Sequence, residues 1–170
     1  MYALMKRVLT IFLVLAVIGA GVFGFFRFKT RDERQLRKNI KIMGNLVSKS
    51  SEDSDLVLLA RVAKFTSYLT EDCLVVYGPP LPDMNGREDI QMVVVNVQKI
   101  FKRLEVEGID VTVVLSANHQ RARTHLTVNV VGSQAEETKE LIDAREVDLS
   151  WIKIDRHWKI KEARYIQTQH

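Results

Sequence analysis

Cysteine is almost missing from these 170 residues: Cys73 stands alone, which excludes an internal disulfide and any metal site built from paired cysteines. A lone thiol fits an oxidising or a reducing compartment and reads as a small buried hydrophobe. Histidine is also scarce. His119, His125, His157 and His170 show none of the close spacing of zinc ligands, so neither a metal nor a cofactor is expected. Proline occurs only at 79, 80 and 82, and no internal repeat or low-complexity segment is present. The first 31 residues contain no acid at all.

That last absence explains the basic balance of the chain. Of its 25 basic residues, Lys6, Arg7, Arg27, Lys29 and Arg31 lie in this acid-free start, which leaves 20 basic against 21 acidic residues elsewhere. The excess flanks an apolar run, where cations meet anionic lipid headgroups. The remainder has no charge support for binding nucleic acid.

The apolar run, Val8 to Phe26, is free of charge. As a helix it would measure about 28 Å, enough to span a hydrocarbon core of roughly 30 Å. Its layout of basic residues, apolar core and small residues also describes a signal peptide, but it stays apolar through Val22, Phe23, Phe25 and Phe26, so an uncleaved anchor is expected. Ala20 and Gly24 form a small-xxx-small pair through which two such helices can associate. Orientation pulls both ways. The basic residues after the run favour a cytoplasmic domain, whereas a short basic tail before it favours export of the domain behind it, and long domains translocate largely regardless of charge. The expectation is a single-pass protein of the bacterial inner membrane, with an anchor at 1–30 and a periplasmic domain at 31–170.

Leu36, Ile40, Met43, Leu46 and Val47 recur at helical spacing opposite Arg34, Arg37, Lys38 and Lys41, which predicts a first amphipathic helix. A turn, SKSSEDSD, precedes a second helix through Leu56, Leu59, Ala63 and Leu69. CLVVYG, from Cys73 to Gly78, reads as a short strand halted by the prolines.

DMNGREDI, from Asp83, is the nearest thing to a chemical motif. EF-hand spacing fails, because position 5 is Arg87 and the glycine falls at position 4, and Gly86 lacks the lysine of a phosphate loop. A helix start remains, with Asn85 as N-cap, Glu88 reaching back, and Asp89 favoured by the helix dipole. Ile90, Val93, Val94, Val97, Ile100, Phe101 and Leu104 would form one face of that helix, despite its β-branched valines.

Beyond it the period becomes two. Ile109, Val111, Val113 and Leu115 share one face; so do Ala122, Thr124, Leu126, Val128 and Val130, then Val147, Leu149 and Trp151, and a last strand carries Trp158, Ile160 and later Tyr165. Helices followed by strands predict an α+β fold, three helices covering one face of a curved antiparallel sheet.

In order and spacing, YLTEDCLVVYG, NGREDI and the closing EVDLSWIKIDRHWKIKEARY resemble the nuclear transport factor 2-like superfamily, including SnoaL-like proteins, over about Arg31 to Ile166. The resemblance implies a cone-shaped sheet wrapped around helices, a pocket between them, and often a homodimer. It leaves activity open, because the superfamily holds isomerases, dehydratases, transport factors and membrane-anchored assembly proteins.

Enzymes of this kind place carboxylates, tyrosines or histidines in an apolar pocket. The inward strand positions here carry only Thr124 as a polar residue. If the domain were catalytic, Asp72 and Tyr68 would be the candidates, although Asp72 reads as a solvated turn residue, and Tyr68 and Tyr77 as rings in the core with hydroxyls at its edge. No serine or cysteine nucleophile is marked. A pocket between the third helix and the sheet would be walled by Tyr68, Tyr77, Val93, Val97, Val113, Leu126, Leu149 and Trp151. On the polar sheet face, Arg121, Arg123 and His125 oppose Glu146 and Asp148 and can pair across strands, or offer a surface to a partner or a second copy. The function these residues suggest is a membrane-anchored, non-catalytic binding or assembly module for a small apolar ligand. The alternative is a SnoaL-like isomerase or dehydratase.

Overall fold

The computed structural model describes residues 31–78, 82–134 and 140–166. The chain divides into two compact units, Met1–Gln35 and Leu36–His170. Of the first, only the helical residues 31–35 are described, so the apolar run from Val8 to Phe26 lies outside the described residues, as does His170. Among the described residues, no helix is long and apolar enough to cross a membrane.

Helix α1 spans 31–47. In the second unit its Leu36, Ile40 and Met43 are buried, four and three residues apart, as a single core-facing stripe requires. Gly44 continues this stripe for a steric reason: a Cβ there would lie 2.6 Å from the Val106 carbonyl oxygen, so only glycine lets the helix approach the sheet this closely.

Helix α2 is Asp55–Thr66, and it buries Leu58, Val62 and Thr66. The expected face is therefore rotated: Leu56 and Leu59 are 78% and 54% exposed, and Leu69 belongs to the next strand. The sequence carries two overlapping apolar stripes, and packing selects one.

Strand β1 is Leu69–Val76, longer than expected, and it includes Asp72, which is a strand residue and not a turn residue. Strand β2, Met84–Asn85, pairs with it antiparallel, Leu74 opposite Asn85. Asn85 thus serves the sheet. The N-cap of helix α3, Arg87–Ile100, is Gly86 at φ 101°, with no side-chain cap, and its N–H donates to the Cys73 carbonyl at 2.8 Å. Because the ladder draws the chain through a left-handed corner just before the helix, glycine takes the position where a capping side chain was expected.

Strand β3, Phe101–Leu115, follows α3 with no loop, so Phe101 and Leu104 lie in the sheet and Ile100 is exposed. Its register with β4 shifts between Ile109 and Thr112, where Asp110 adopts φ 52°. This bulge reverses the alternation. Leu104, Val106 and Gly108 face inward before it and Val111, Val113 and Leu115 after it, leaving Ile109 39% exposed, contrary to the uninterrupted period. Strands β4 (Arg121–Gln134), β5 (Leu141–Ile154) and β6 (His157–Tyr165) complete a six-stranded sheet in the order β2-β1-β6-β5-β4-β3. All neighbours are antiparallel except β1 and β6, which run parallel. The architecture is α+β, and its core joins α1 and Ile90 of α3 to Leu126, Trp151, Trp158 and Ile160 of the sheet.

Candidate functional site

A cavity of about 290 Å³ lies between helices and sheet in the second unit. Its wall combines Ile40, Met43 and Val47 of α1, Phe65 of α2, Ile90, Val93 and Val94 of α3, and Leu126, Leu149 and Ile160 of the sheet, with Met84 and Tyr77 beside β1. Gly44, Gly108 and Ala163 also lie on the wall. At the first two the elements meet closely: a Cβ at Gly108 would lie 2.7 Å from Ile40 Cγ2 and 2.9 Å from Leu126 Cδ1.

Among the described residues of the wall none is ionisable in the physiological range, and Tyr77 alone carries a hydroxyl. Burial pushes the Tyr77 phenol above its usual range, so it keeps its proton at neutral pH. Its backbone N–H donates to Asp83 Oδ1 at 3.3 Å, which ties the end of β1 to the loop before β2. Such a cavity can hold an apolar molecule by excluding water.

Of the residues expected to wall a pocket, Tyr77, Val93, Leu126 and Leu149 line this one, while Tyr68, Val97, Val113 and Trp151 do not. Trp151 is fully buried, its indole N–H donating to Thr124 Oγ1 at 2.9 Å. Tyr68 packs against the core, and its carbonyl accepts the Ile160 N–H at 2.8 Å. Asp72 projects to solvent and pairs with Lys161, whose ammonium holds the carboxylate below its usual range. Asp72 and Tyr68 therefore do not meet at the cavity. The contribution of α1 was missed because the pocket was expected between α3 and the sheet alone; the stripe of Ile40, Met43 and Val47 was visible as a helix face, without any sign that it stood off from the sheet.

On the outer sheet face, one of the expected cross-strand contacts forms: His125 Nδ1 lies 2.9 Å from Asp148 Oδ1. Arg123 stands opposite Ser150, Arg121 opposite Ile152, and Glu146 opposite Thr127, so the remaining charges face neutral partners. His119 occupies the β3–β4 turn at φ 53°. Among the described residues no group of His, Cys, Asp and Glu side chains could hold a metal ion. Cys73 is buried, and desolvation raises its thiol from 9.0 to about 11, which suits a packing role.

No protein-family model and no curated protein matches the sequence. Solved structures match the fold. A nuclear transport factor 2-like protein with a cystatin-like fold from Novosphingobium aromaticivorans superposes with a TM-score of 0.67 at 10% identity, over 84% of this chain and 86% of that one. A protein of the same organism, provisionally named a scytalone dehydratase, gives 0.63 at 15% identity, over 84% and 85%. A nuclear transport factor 2 superfamily protein of Salmonella enterica gives 0.65 at 10% identity, over 84% and 94%. The chain has the nuclear transport factor 2-like fold. At these identities the likeness concerns fold alone.

Proposed function

We propose that this domain is a binding module that holds a small apolar molecule in the cavity between α1, α3 and the sheet, and that Val8 to Phe26 anchors it to a membrane with the domain facing the periplasm. The observation that carries the reading is the composition of the wall: aliphatic and aromatic side chains, two glycines and one neutral phenol. General acid–base catalysis contributes about 10²- to 10⁴-fold and needs a titratable group within hydrogen-bond reach of the substrate. A phenol whose proton is held more tightly than usual is a poor base at neutral pH.

The neighbour provisionally named a scytalone dehydratase motivates the second reading, an isomerase or dehydratase on this scaffold. Full-length protein in phospholipid nanodiscs, incubated with small cyclic hydroxyketones and followed by mass spectrometry, is expected to bind them without forming dehydrated or isomerised product. A product whose formation Asp72→Asn or Tyr68→Phe abolishes in a folded protein would establish the enzyme instead.

A further inference from the structure

The cavity wall is apolar but not featureless. Among the described residues Tyr77 is its sole hydroxyl-bearing one, and no hydrogen bond to that hydroxyl forms among them. A phenol beside an apolar space offers one donor to a guest, and a donor left without a partner costs free energy once water is displaced. Among the described residues no cation lines the wall to compensate an anionic guest, and burying an unpaired charge is far more costly than burying a carbonyl.

From this arrangement, and resting on the ligand-binding reading above, we infer that the cavity selects an uncharged apolar molecule carrying one hydrogen-bond acceptor, a ketone or an ether-type oxygen, which takes the Tyr77 hydroxyl. Carboxylates and phosphates are rejected. The volume of about 290 Å³ stands at the small end of the roughly 300 to 1,000 Å³ usual for small-molecule sites, so the guest is compact. The raised phenol fits the same role, since a tightly held proton remains available for donation across the physiological range.

Three probes of similar shape separate the contributions: 2-acetylnaphthalene as the ketone, 2-isopropenylnaphthalene as its isosteric hydrocarbon, and 2-naphthoate as the anion. Their affinities for full-length protein in nanodiscs are measured by equilibrium dialysis, with empty nanodiscs correcting for partition into lipid. The ketone is expected to bind about three- to tenfold more tightly than the hydrocarbon, the yield of one neutral hydrogen bond. Naphthoate should bind at least about tenfold more weakly than the ketone. In Tyr77→Phe the ketone should lose its advantage over the hydrocarbon, whose own affinity should hold or rise because no donor is left unpaired, and retained hydrocarbon binding also reports that the variant is folded. Equal binding of ketone and hydrocarbon by the unaltered protein overturns the inference without recourse to any variant; so does a preference that survives Tyr77→Phe, or naphthoate binding as tightly as the ketone. In all three cases apolar binding itself would stand. Failure of every probe to bind would instead remove the ligand-binding reading and the inference with it.

Discussion

Trp151 donates its indole N–H to Thr124 Oγ1 at 2.9 Å inside the core, so the one polar residue on the inward face of β4 is there to satisfy the one polar atom of the buried indole. The two residues stand on adjacent strands, within one register step of each other, since Trp151 lies opposite Ala122 and Leu149 opposite Thr124. Removing the acceptor while keeping the shape should expose the cost of an unpaired buried donor. Thr124→Val is expected to lower the unfolding free energy by about 1 to 3 kcal/mol, and Thr124→Ser by less, as checked by urea denaturation. Equal stability of the three proteins would mean that the bond contributes nothing.

The corner at Gly86 gives a paired test of how α3 begins. With φ at 101°, an alanine there adopts a conformation costly for any L side chain, although its Cβ would meet nothing closer than the Glu71 carbonyl oxygen at 3.7 Å. Gly86→Ala should destabilise by about 1 to 3 kcal/mol. Asn85→Ala should stay within about 0.5 kcal/mol, because its side chain does not cap the helix. Thermal denaturation of both variants decides which residue matters.

Cys73 couples stability to alkaline pH. Burial favours the neutral thiol in the folded state and raises it from 9.0 to about 11. The folded protein therefore binds the proton more tightly than the unfolded chain. Its contribution is fully present below pH 9.0 and is lost as pH climbs from there towards about 11. Denaturation curves at stepped pH should show this decline in the unaltered protein and less of it in Cys73→Ala. Alkylation by iodoacetamide at pH 8 should proceed only as fast as the protein unfolds.

For the anchor, full-length protein should remain with membranes after an alkaline carbonate wash and keep its N-terminus. A phosphatase fused after His170 should be active if the domain is exported. A soluble chain beginning near Val22 would indicate a cleaved signal, and an inactive but well-expressed fusion would place the domain in the cytoplasm.

Strands β4 and β5 were legible because they pair with each other in an unbroken antiparallel register: Ala122, Thr124, Leu126, Leu149 and Trp151 face inward as their alternation requires. Strand β3 was legible only in part. Its alternation reverses at the bulge near Asp110, and a left-handed non-glycine residue leaves no signature that period two can register. Long-range pairing overrode local signals elsewhere. Asn85 looks like a cap until β1 is known to pair with it, and Gln98 looks like a surface residue until its Nε2 is seen donating to the Val47 carbonyl at 2.9 Å, closing the end of α1. The wall of the cavity was half visible for a similar reason. Periodicity tells which side chains turn inward, but not where facing elements fail to touch, because that depends on how helices and sheet pack across the cavity.

The most direct test of apolar binding is the melting temperature of full-length protein in nanodiscs against rising 2-isopropenylnaphthalene, followed by circular dichroism for the unaltered chain and for Ala163→Phe, whose added ring would occupy the cavity. A ligand of the folded state raises the melting temperature progressively above its dissociation constant. The expected result is a concentration-dependent rise in the unaltered protein and none in Ala163→Phe. A flat response in the unaltered protein, or the same rise in both, would contradict binding in this cavity.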